Sequence, residues 1–203
     1  MHKEILTDEQ IELLPLLKKF SKQFGLVGGT AIALHLGHRR SVDFDLFTDK
    51  KFSNASVRRV LTTNVKIDSV IRDEVGQYTL SAYGVRFTFF EYPFPISYSH
   101  RFQSTIRLPN LLTLAAMKAF ALGRRAKWKD YVDLYFIMKD HHGLEEIIQK
   151  AKKLFKQEFN EKIFRIQLAY FADMNYSEEV IFLPGFEVDD RVIMKELVKF
   201  SLR

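Results

Sequence analysis

The sequence predicts a mixed α/β (α+β) fold, with a sheet and flanking helices up to about residue 108 and a helical half after it. At the start of the chain, short apolar segments alternate with segments whose apolar residues have helical spacing. Three strand-like runs follow between residues 65 and 92. From Pro109 onward the apolar residues recur at helical spacing. A chain of 203 residues suits one domain or a small core with an extension, so we expect residues 1–108 and 109–203 to form these two parts.

Local signals place the individual elements along this frame. Residues 7–24 have helical spacing, and Thr7 and Gln10 have the spacing of a capping box. A further helix is expected from Ser53 to Leu61, and turn-prone pairs join the strand-like runs into a meander. These runs cover residues 65–72, 77–82 and 85–92. The later helices are expected over residues 110–122, 128–138, 144–155, 161–171 and 189–200.

Two carboxylates stand two residues apart on a segment that has the pattern of a strand. Residues 41–47 alternate polar and apolar side chains, so Val42 and the next two apolar residues should face the core, with Asp43 and Asp45 on the other face. Mg²⁺ usually binds between one or two carboxylates and the phosphates of a nucleotide. Asp43 and Asp45 are therefore candidate metal ligands, although an exposed strand face often carries acids that bind nothing.

A glycine-rich step lies just upstream of this strand. Gly28-Gly29-Thr30 separates the short apolar step at residues 26–27 from a helical pattern that ends at Gly37. Glycines allow the backbone to approach a phosphate, a helix N-terminus offers unpaired N–H groups, and Thr30 adds a hydroxyl donor. The alternative is a tight strand-to-helix turn that needs a positive φ. Together with the two aspartates, the step predicts a phosphate cradle beside a metal-binding strand.

These residues resemble the first catalytic motif of the AbiEii/AbiGii toxin family, which belongs to the nucleotidyltransferase superfamily. The matching stretches are VGGTAIALH at residues 27–35 and RRSVDFDLF at residues 39–47. In that family a Gly-Ser loop, a short helix and an Asp-x-Asp/Glu pair form the motif, and Thr30 here replaces the serine while keeping its hydroxyl. Two later stretches resemble the third and fourth motifs, LAAMKAFA at residues 114–121 and RRAKWKDYVDL at residues 124–134.

The resemblance covers most of the chain from about residue 24 to 138 and implies roles for several residues. It implies a nucleotidyltransferase core in residues 1–108 and a helical region in residues 109–203 that completes the active site. It also implies a lysine that faces the triphosphate, an arginine, and a catalytic aspartate after it. In this chain those residues are Lys118, Arg125 and Asp130.

The resemblance further implies a reaction and its partners. A nucleoside triphosphate would lie on Gly28, Gly29, Thr30 and Lys118, and Asp43 and Asp45 would hold Mg²⁺ or Mn²⁺. Asp130 would orient or deprotonate an acceptor hydroxyl. In the family the acceptor can be RNA, including the 3′ end of tRNA, and the enzyme is a growth-inhibiting toxin that an antitoxin opposes.

The residues of the helical half also allow simpler interpretations. Lys118 lies on an apolar helix face, where a charge needs a partner, and a bound phosphate or a path to solvent would each provide for it. Asp130 and Asp133 are three residues apart on one helix face, next to several cations that could form intrahelical ion pairs with them. Asp133 could equally be a buried carboxylate that holds Arg39 or Arg124.

A third carboxylate, which many polymerase-like nucleotidyltransferases place on a later strand, is missing from its obvious position. The strand at residues 85–91 has Thr88 at its centre, and Glu91 lies nearer its end. This departure leaves open a second interpretation, a catalytically degenerate module that binds nucleotide or RNA. A nuclease or phosphatase that uses the same acids is a third interpretation, but it leaves the glycine step without a function.

Composition sets the remaining expectations. The net charge of +6 favours polyanionic partners, and a basic run in the later helices is a candidate track for RNA or an ordinary solvated face. The chain has no cysteine, which excludes disulfides and thiolate metal sites. It shows no signal-peptide pattern and no long apolar run, so we expect a cytoplasmic protein without membrane contact. The basic run consists of Lys150, Lys152, Lys153, Lys156, Lys162 and Arg165.

Overall fold

The computed structural model describes all 203 residues and confirms a mixed α/β fold. Five strands form the main sheet in the order β1-β2-β5-β4-β3, and β6 and β7 form a separate hairpin. The strands are β1 (Gly25–Val27), β2 (Phe44–Thr48), β3 (Ser69–Glu74), β4 (Gln77–Ala82), β5 (Val85–Glu91), β6 (His100–Phe102) and β7 (Ile106–Leu108). The meander β3-β4-β5 is antiparallel, as the short turns predict.

The register of two central strands determines which side chains share the functional face of the sheet. β2 runs parallel to β5, and Asp45 lies opposite Thr88 while Phe47 lies opposite Phe90. Because side chains alternate along a strand, Asp45 and Phe47 point to one face, and Phe44 and its apolar neighbours point into the core on the other.

Eight α-helices cover the sheet and build the second half of the chain. The Thr7 capping box with Gln10 is present, and Ser53 and Asn110 also cap their helices. Gly37 ends the second helix in the left-handed conformation, at a φ of 73°. The helices are α1 (Asp8–Phe20), α2 (Gly28–Leu36), α3 (Asn54–Thr62), α4 (Leu111–Leu122), α5 (Trp128–Asp140), α6 (Leu144–Phe155), α7 (Glu161–Leu168) and α8 (Asp190–Ser201).

Several expected boundaries are wrong, and tertiary contacts explain them. β2 begins at Phe44 instead of residue 41, and Val42 is 42% exposed because it precedes the strand. β3 begins at Ser69 rather than residue 65, since Ser69 pairs with Ser81 and the antiparallel partner β4 ends one residue later, at Ala82. α1 ends at Phe20 and α7 at Leu168, each earlier than the apolar pattern suggests. The β6-β7 hairpin was not predicted.

One core joins the two halves of the chain. A cluster of 53 buried hydrophobic residues takes members from the sheet, from α1 and α2, and from the helices after residue 109. The division into residues 1–108 and 109–203 stays a prediction, although β7 ends at Leu108 and α4 begins at Leu111. No helix in the structure combines the length and the apolar character that crossing a bilayer requires.

Candidate active site

The N-terminus of α2 lies directly against the carboxylate of Asp45. Gly28 has a φ of 71°, which favours glycine, and a Cβ at this position would lie 2.1 Å from Oδ2 of Asp45. The interpretation as a tight turn applies to Gly28, because the turn needs a positive φ, and the phosphate cradle stays a prediction. The first N–H groups of a helix have no partner within the helix, so this end of α2 is suited to bind an anion next to Asp45.

Gly29 and Thr30 connect α2 to the segment that carries the aspartates. A Cβ on Gly29 would lie 2.7 Å from Nη2 of Arg39, so this glycine makes room for the arginine. The Thr30 hydroxyl donates to the backbone oxygen of Asp43 and lies 3.0 Å from Oγ of Ser41. Thr30 is 1% exposed. The expected contact between this hydroxyl and a phosphate does not match this arrangement, in which Thr30 fixes the backbone at Asp43.

Asp45 forms no salt bridge and no side-chain hydrogen bond within the protein, and its nearest cations act on it only at longer range. Burial, and after it the negative charge of Asp43, raise the pKa of Asp45 to about 6. An ionised carboxylate in this position needs a cation. Asp45 is thus a candidate metal ligand.

Asp43 is engaged by an arginine from the neighbouring strand. Nη2 of Arg86 contacts Oδ2 of Asp43, and the same nitrogen lies 3.9 Å from Oε1 of Glu178. Glu178 lies in the irregular segment between α7 and α8 and also binds Lys127 at 2.7 Å and Lys129 at 3.5 Å. Burial favours a higher pKa for Glu178, but these cations lower it to about 2. Nothing in the sequence pattern around Glu178 signals this contact.

A buried carboxylate, Asp133, is the centre of the charge network behind α2. It accepts two hydrogen bonds from Arg39, at 2.8 and 2.9 Å, and its Oδ2 lies 2.9 Å from Nζ of Lys118. Nε2 of His38 lies 2.8 Å from Oδ1. Although burial favours a higher pKa for Asp133, the charges of Arg39 and Lys118 hold it well below the ordinary value. Of the two arginines expected as partners of Asp133, Arg39 and Arg124, the structure shows Arg39 in contact with it.

Asp130 lies next to this centre, between one cation from the third-motif region and one from the fourth-motif region. Nζ of Lys118 contacts Oδ1 of Asp130, and Nε of Arg125 donates to Oδ2 at 3.0 Å. Asp130 is 2% exposed, and Lys118 and Arg125 hold its pKa below the ordinary value despite burial. The expected ion pairs within α5 are therefore wrong, because the main partner comes from α4. The structure also gives Lys118 two carboxylate partners where a phosphate was expected.

A cleft of about 340 Å³ opens in front of Asp45, between the sheet and α4. The N-terminal glycines of α2 and three cations, Lys118, Arg124 and Arg125, line it together with Asp45. Asp43, Thr30 and Asp130 are not among its lining residues. The remaining lining residues are apolar or aromatic: Val27, Ile32, Phe47, Phe90, Tyr92, Leu114, Met117, Phe120 and Ala121.

The neighbouring strand β5 offers no third carboxylate on the face of Asp45. Thr88 lies opposite Asp45, and Glu91 pairs with Thr48, so its side chain points to the other face of the sheet. Glu91 packs against the turn at Gly76 instead. Glu91 therefore does not replace the carboxylate that is missing at Thr88, and the residue of β5 that contacts Asp43 is Arg86.

The residues present fit a divalent cation whose remaining coordination positions are filled by a bound substrate. Asp43 and Asp45 supply carboxylate oxygens, the ligand type that Mg²⁺ and Mn²⁺ accept, and Asp45 is a half-buried acid without an ion-pair partner. No group of three or more potential metal ligands is present in the protein. Such a site holds Mg²⁺ mainly in company with the phosphates of a nucleotide, which is its usual mode of binding in proteins.

The sheet order, the glycine turn into α2 and the aspartate strand define a nucleotidyltransferase, and comparison with known proteins agrees. The model of the family described as nucleotidyl transferase AbiEii toxin, Type IV TA system, matches residues 16–64 and 60–199. An uncharacterized protein of Aquifex aeolicus is 32% identical over 157 residues, which cover 74% of this chain and 74% of that protein. The chain belongs to this AbiEii family and is a nucleotidyltransferase.

Solved structures share the fold at low sequence identity. MenT4, a nucleotidyltransferase toxin from Mycobacterium tuberculosis, is 14% identical with a TM-score of 0.62, and the match covers 95% of this chain and 82% of that one. JHP933 from Helicobacter pylori is 17% identical with a TM-score of 0.58, covering 97% of this chain and 92% of that one.

Proposed function

We propose that the protein transfers a nucleoside monophosphate from a nucleoside triphosphate to an acceptor hydroxyl, with Mg²⁺ or Mn²⁺ as cofactor. The observation that carries the proposal is the unpaired Asp45 carboxylate, which lies against the N-terminus of α2 at a cleft lined by three cations. An anion-binding helix end, a metal-binding acid and an apolar cleft are the parts that a nucleotide with its metal requires.

In this proposal Asp43 and Asp45 would hold the metal, and the chemistry that the metal would supply is neutralisation of negative charge on the phosphates. Arg86 must leave Oδ2 of Asp43 before that oxygen can bind a metal, and Glu178 is the acid nearest to accept it. The acceptor oxygen then bonds to the α-phosphorus, the bond to the β-phosphate oxygen breaks, and the hydroxyl proton is released with pyrophosphate as the leaving group.

The phosphates lie between α2 and the cations of the helical half. Gly28 and Gly29 present backbone N–H groups, and Lys118 and Arg125 line the same part of the cleft. Catalysis then consists largely of positioning and of stabilising charge that develops on phosphate oxygens. Thr30 contributes by fixing the backbone at Asp43.

Asp130 has a positioning role in this scheme. Its two oxygens orient Lys118 and Arg125, and its lowered pKa makes it a weak proton acceptor at neutral pH. A general base normally has a pKa nearer to the working pH, so we propose that Asp130 acts on the reaction through the two cations. Its replacement by asparagine should raise KM for the nucleotide more than it lowers kcat.

We further propose that the acceptor is RNA, with the 3′ end of tRNA as the first candidate, and that the protein is a toxin with an antitoxin partner. Membership of a toxin family supports the antitoxin, and the net charge of +6 supports a polyanionic acceptor. The basic run in α6 and α7 is a weaker candidate for an RNA track, because Lys152 and Arg165 are paired with Glu161 and Glu145.

Label transfer tests the proposal. The protein is incubated with each α-³²P-labelled nucleoside triphosphate, Mg²⁺ and total bacterial RNA, and the products are treated separately with ribonuclease and protease. We expect label in ribonuclease-sensitive material with the wild type and none with the Asp43→Asn/Asp45→Asn variant. Label only in protease-sensitive material would contradict the RNA acceptor, and no label with a folded protein would contradict the transfer itself.

A further inference from the structure

The cleft has a charged end and an aromatic end, and the proposed metal and phosphate sites lie at the charged end. Asp45 and Phe47 lie two residues apart on the same face of β2, so the aromatic end begins about 7 Å further along the strand. There the rings of Phe47, Phe90 and Tyr92 lie 5.1 to 6.2 Å apart and form one wall. The apolar side chains of α4 form the facing wall.

A three-layer stack closes this aromatic end. The guanidinium of Arg124 lies 4.0 Å from the ring centroid of Phe120, and Phe155 stacks on Phe120 at a centroid distance of 4.1 Å. Phe120 is buried, and Phe94 packs against its edge. A planar guanidinium on an aromatic face keeps its N–H groups directed sideways from the stack. Both Arg124 and Phe120 line the cleft.

The polar side chains at this end are almost entirely hydrogen-bond donors. Arg124 carries five N–H groups and no acceptor, and one contact, to Glu158 at 3.3 Å, uses only Nη2. Glu158 does not line the cleft. The Tyr92 hydroxyl is the other polar group, and burial raises its pKa, so it stays protonated and able to donate. No carboxylate or amide side chain lines the aromatic end.

We propose that Arg124 is a specificity-determining residue that selects the nucleobase by its acceptors. The base lies between the aromatic wall and α4, and the guanidinium fork binds an edge with two adjacent acceptors. Guanine offers O6 and N7, and cytosine offers O2 and N3. Adenine offers no such edge, because its amino donor lies between N1 and N7 and its remaining acceptor, N3, stands alone. Uracil places an N–H between its two oxygens, so the fork cannot bind two adjacent acceptors on either base. This inference rests on the proposed nucleotide site.

Binding without turnover tests the assignment. Dissociation constants of the α,β-methylene analogues of the four nucleoside triphosphates are measured with Mg²⁺ by calorimetry. For the wild type we expect the guanine analogue, the cytosine analogue or both to bind about tenfold or more tightly than the adenine and uracil analogues, within the roughly 5- to 150-fold range of one bidentate arginine–base contact.

Three variants separate base recognition from general attraction for the triphosphate. Arg124→Lys keeps the charge but lacks the fork, so affinity should fall little for adenine and uracil while the preference shrinks to about twofold. Arg124→Gln should remove the preference with a small uniform loss. Arg72→Gln is the matched control, since Arg72 is 52% exposed against 57% for Arg124 and lies on the edge strand β3, and it should bind as the wild type does.

The outcomes distinguish this inference from the proposed function. Equal affinity for all four analogues, or tightest binding of the adenine or uracil analogue, would overturn the role of Arg124 while leaving the nucleotide site in place. A preference that survives in Arg124→Gln would overturn it as well. Failure of every analogue to bind the folded wild type would overturn the nucleotide site and the inference together.

Discussion

At the scale of single residues, the site contains one acid that lacks a partner and another that has three. Asp45 has no cation in contact, and its pKa is raised to about 6. Asp133 contacts Arg39, Lys118 and His38, and its pKa is held well below the ordinary value. The first acid is poised to bind a ligand and the second is structural, so the two should respond in opposite directions to neutralisation.

Asp45→Asn should stabilise the metal-free protein near pH 7.5. The pKa of Asp45 in the folded state is about 6, above that of an unfolded aspartate, so its contribution to stability is full below about pH 4 and is lost as the pH rises through 6. Thermal unfolding in EDTA should show the variant more stable than the wild type by about 1–3 kcal/mol at pH 7.5 and nearly equal at pH 4. A variant less stable than the wild type at pH 7.5 would contradict the claim that the ionised Asp45 carboxylate destabilises the metal-free protein.

Asp133→Asn should destabilise the protein by about 3–5 kcal/mol, because Arg39 and Lys118 stay buried while they lose the negative charge of Asp133. For a chain of this size the melting temperature should fall by roughly 10 °C. Asp140→Asn, an exposed acid at the end of α5, is the control and should change little. A loss below about 1 kcal/mol for Asp133→Asn would show that the network is not structural.

At the scale of elements, the contact between the N-terminus of α2 and β2 creates the site. Gly28→Ala should abolish transfer, since the new Cβ meets Asp45 at 2.1 Å in a backbone conformation that disfavours side chains. Gly84→Ala is the matched control, because Gly84 has the same φ of 71° and nothing within 4 Å of a Cβ. Both variants should lose about 1 kcal/mol for conformation, and only Gly28→Ala should lose more than 100-fold in activity. Equal activities would disprove the close approach.

The pairing of β2 with β5 places Arg86 beside Asp43, where it competes with a metal. Arg86→Met should therefore tighten Mn²⁺ binding in the absence of nucleotide by at least about fivefold, because a charge pair about 4 Å apart is worth about 1 kcal/mol in water and more near a protein surface. Electron paramagnetic resonance of free Mn²⁺ measures the change, with Arg72→Met as control. Unchanged or weaker binding would mean that Arg86 does not occupy the metal site.

Elements with local signals were predictable, and those that depend on distant partners were not. The capping box of Thr7 placed the start of α1, and the alternation at residues 77–82 gave β4 to the residue. The start of β3 and the β6-β7 hairpin depend on pairing that no short pattern encodes. Glu178 reaches the site from an irregular segment more than 130 residues after Asp43 in the chain, without a periodic pattern to mark it.

At the scale of the whole molecule, both halves of the chain contribute to one site. The sheet and α2 supply the acids and the helix N-terminus, and α4 and the segment between α4 and α5 supply the cations that face them. The two-part composition of the sequence predicted this arrangement in outline, because the matching motifs lie on both sides of residue 108. The pairing within the charge network could not be predicted from the sequence, because each charged residue has many possible partners of opposite charge along the chain.

The most direct test of the central claim is the metal dependence of pyrophosphate release. The rate is measured with a nucleoside triphosphate and total RNA while Mg²⁺ is titrated from an EDTA-chelated start, for the wild type, Asp43→Asn, Asp45→Asn and the control Asp140→Asn. We predict saturable activation of the wild type and the control, and a loss of at least about 1,000-fold in both site variants. Release that persists in EDTA, or that survives either site substitution, would contradict a metal-dependent nucleotidyltransferase centred on Asp43 and Asp45.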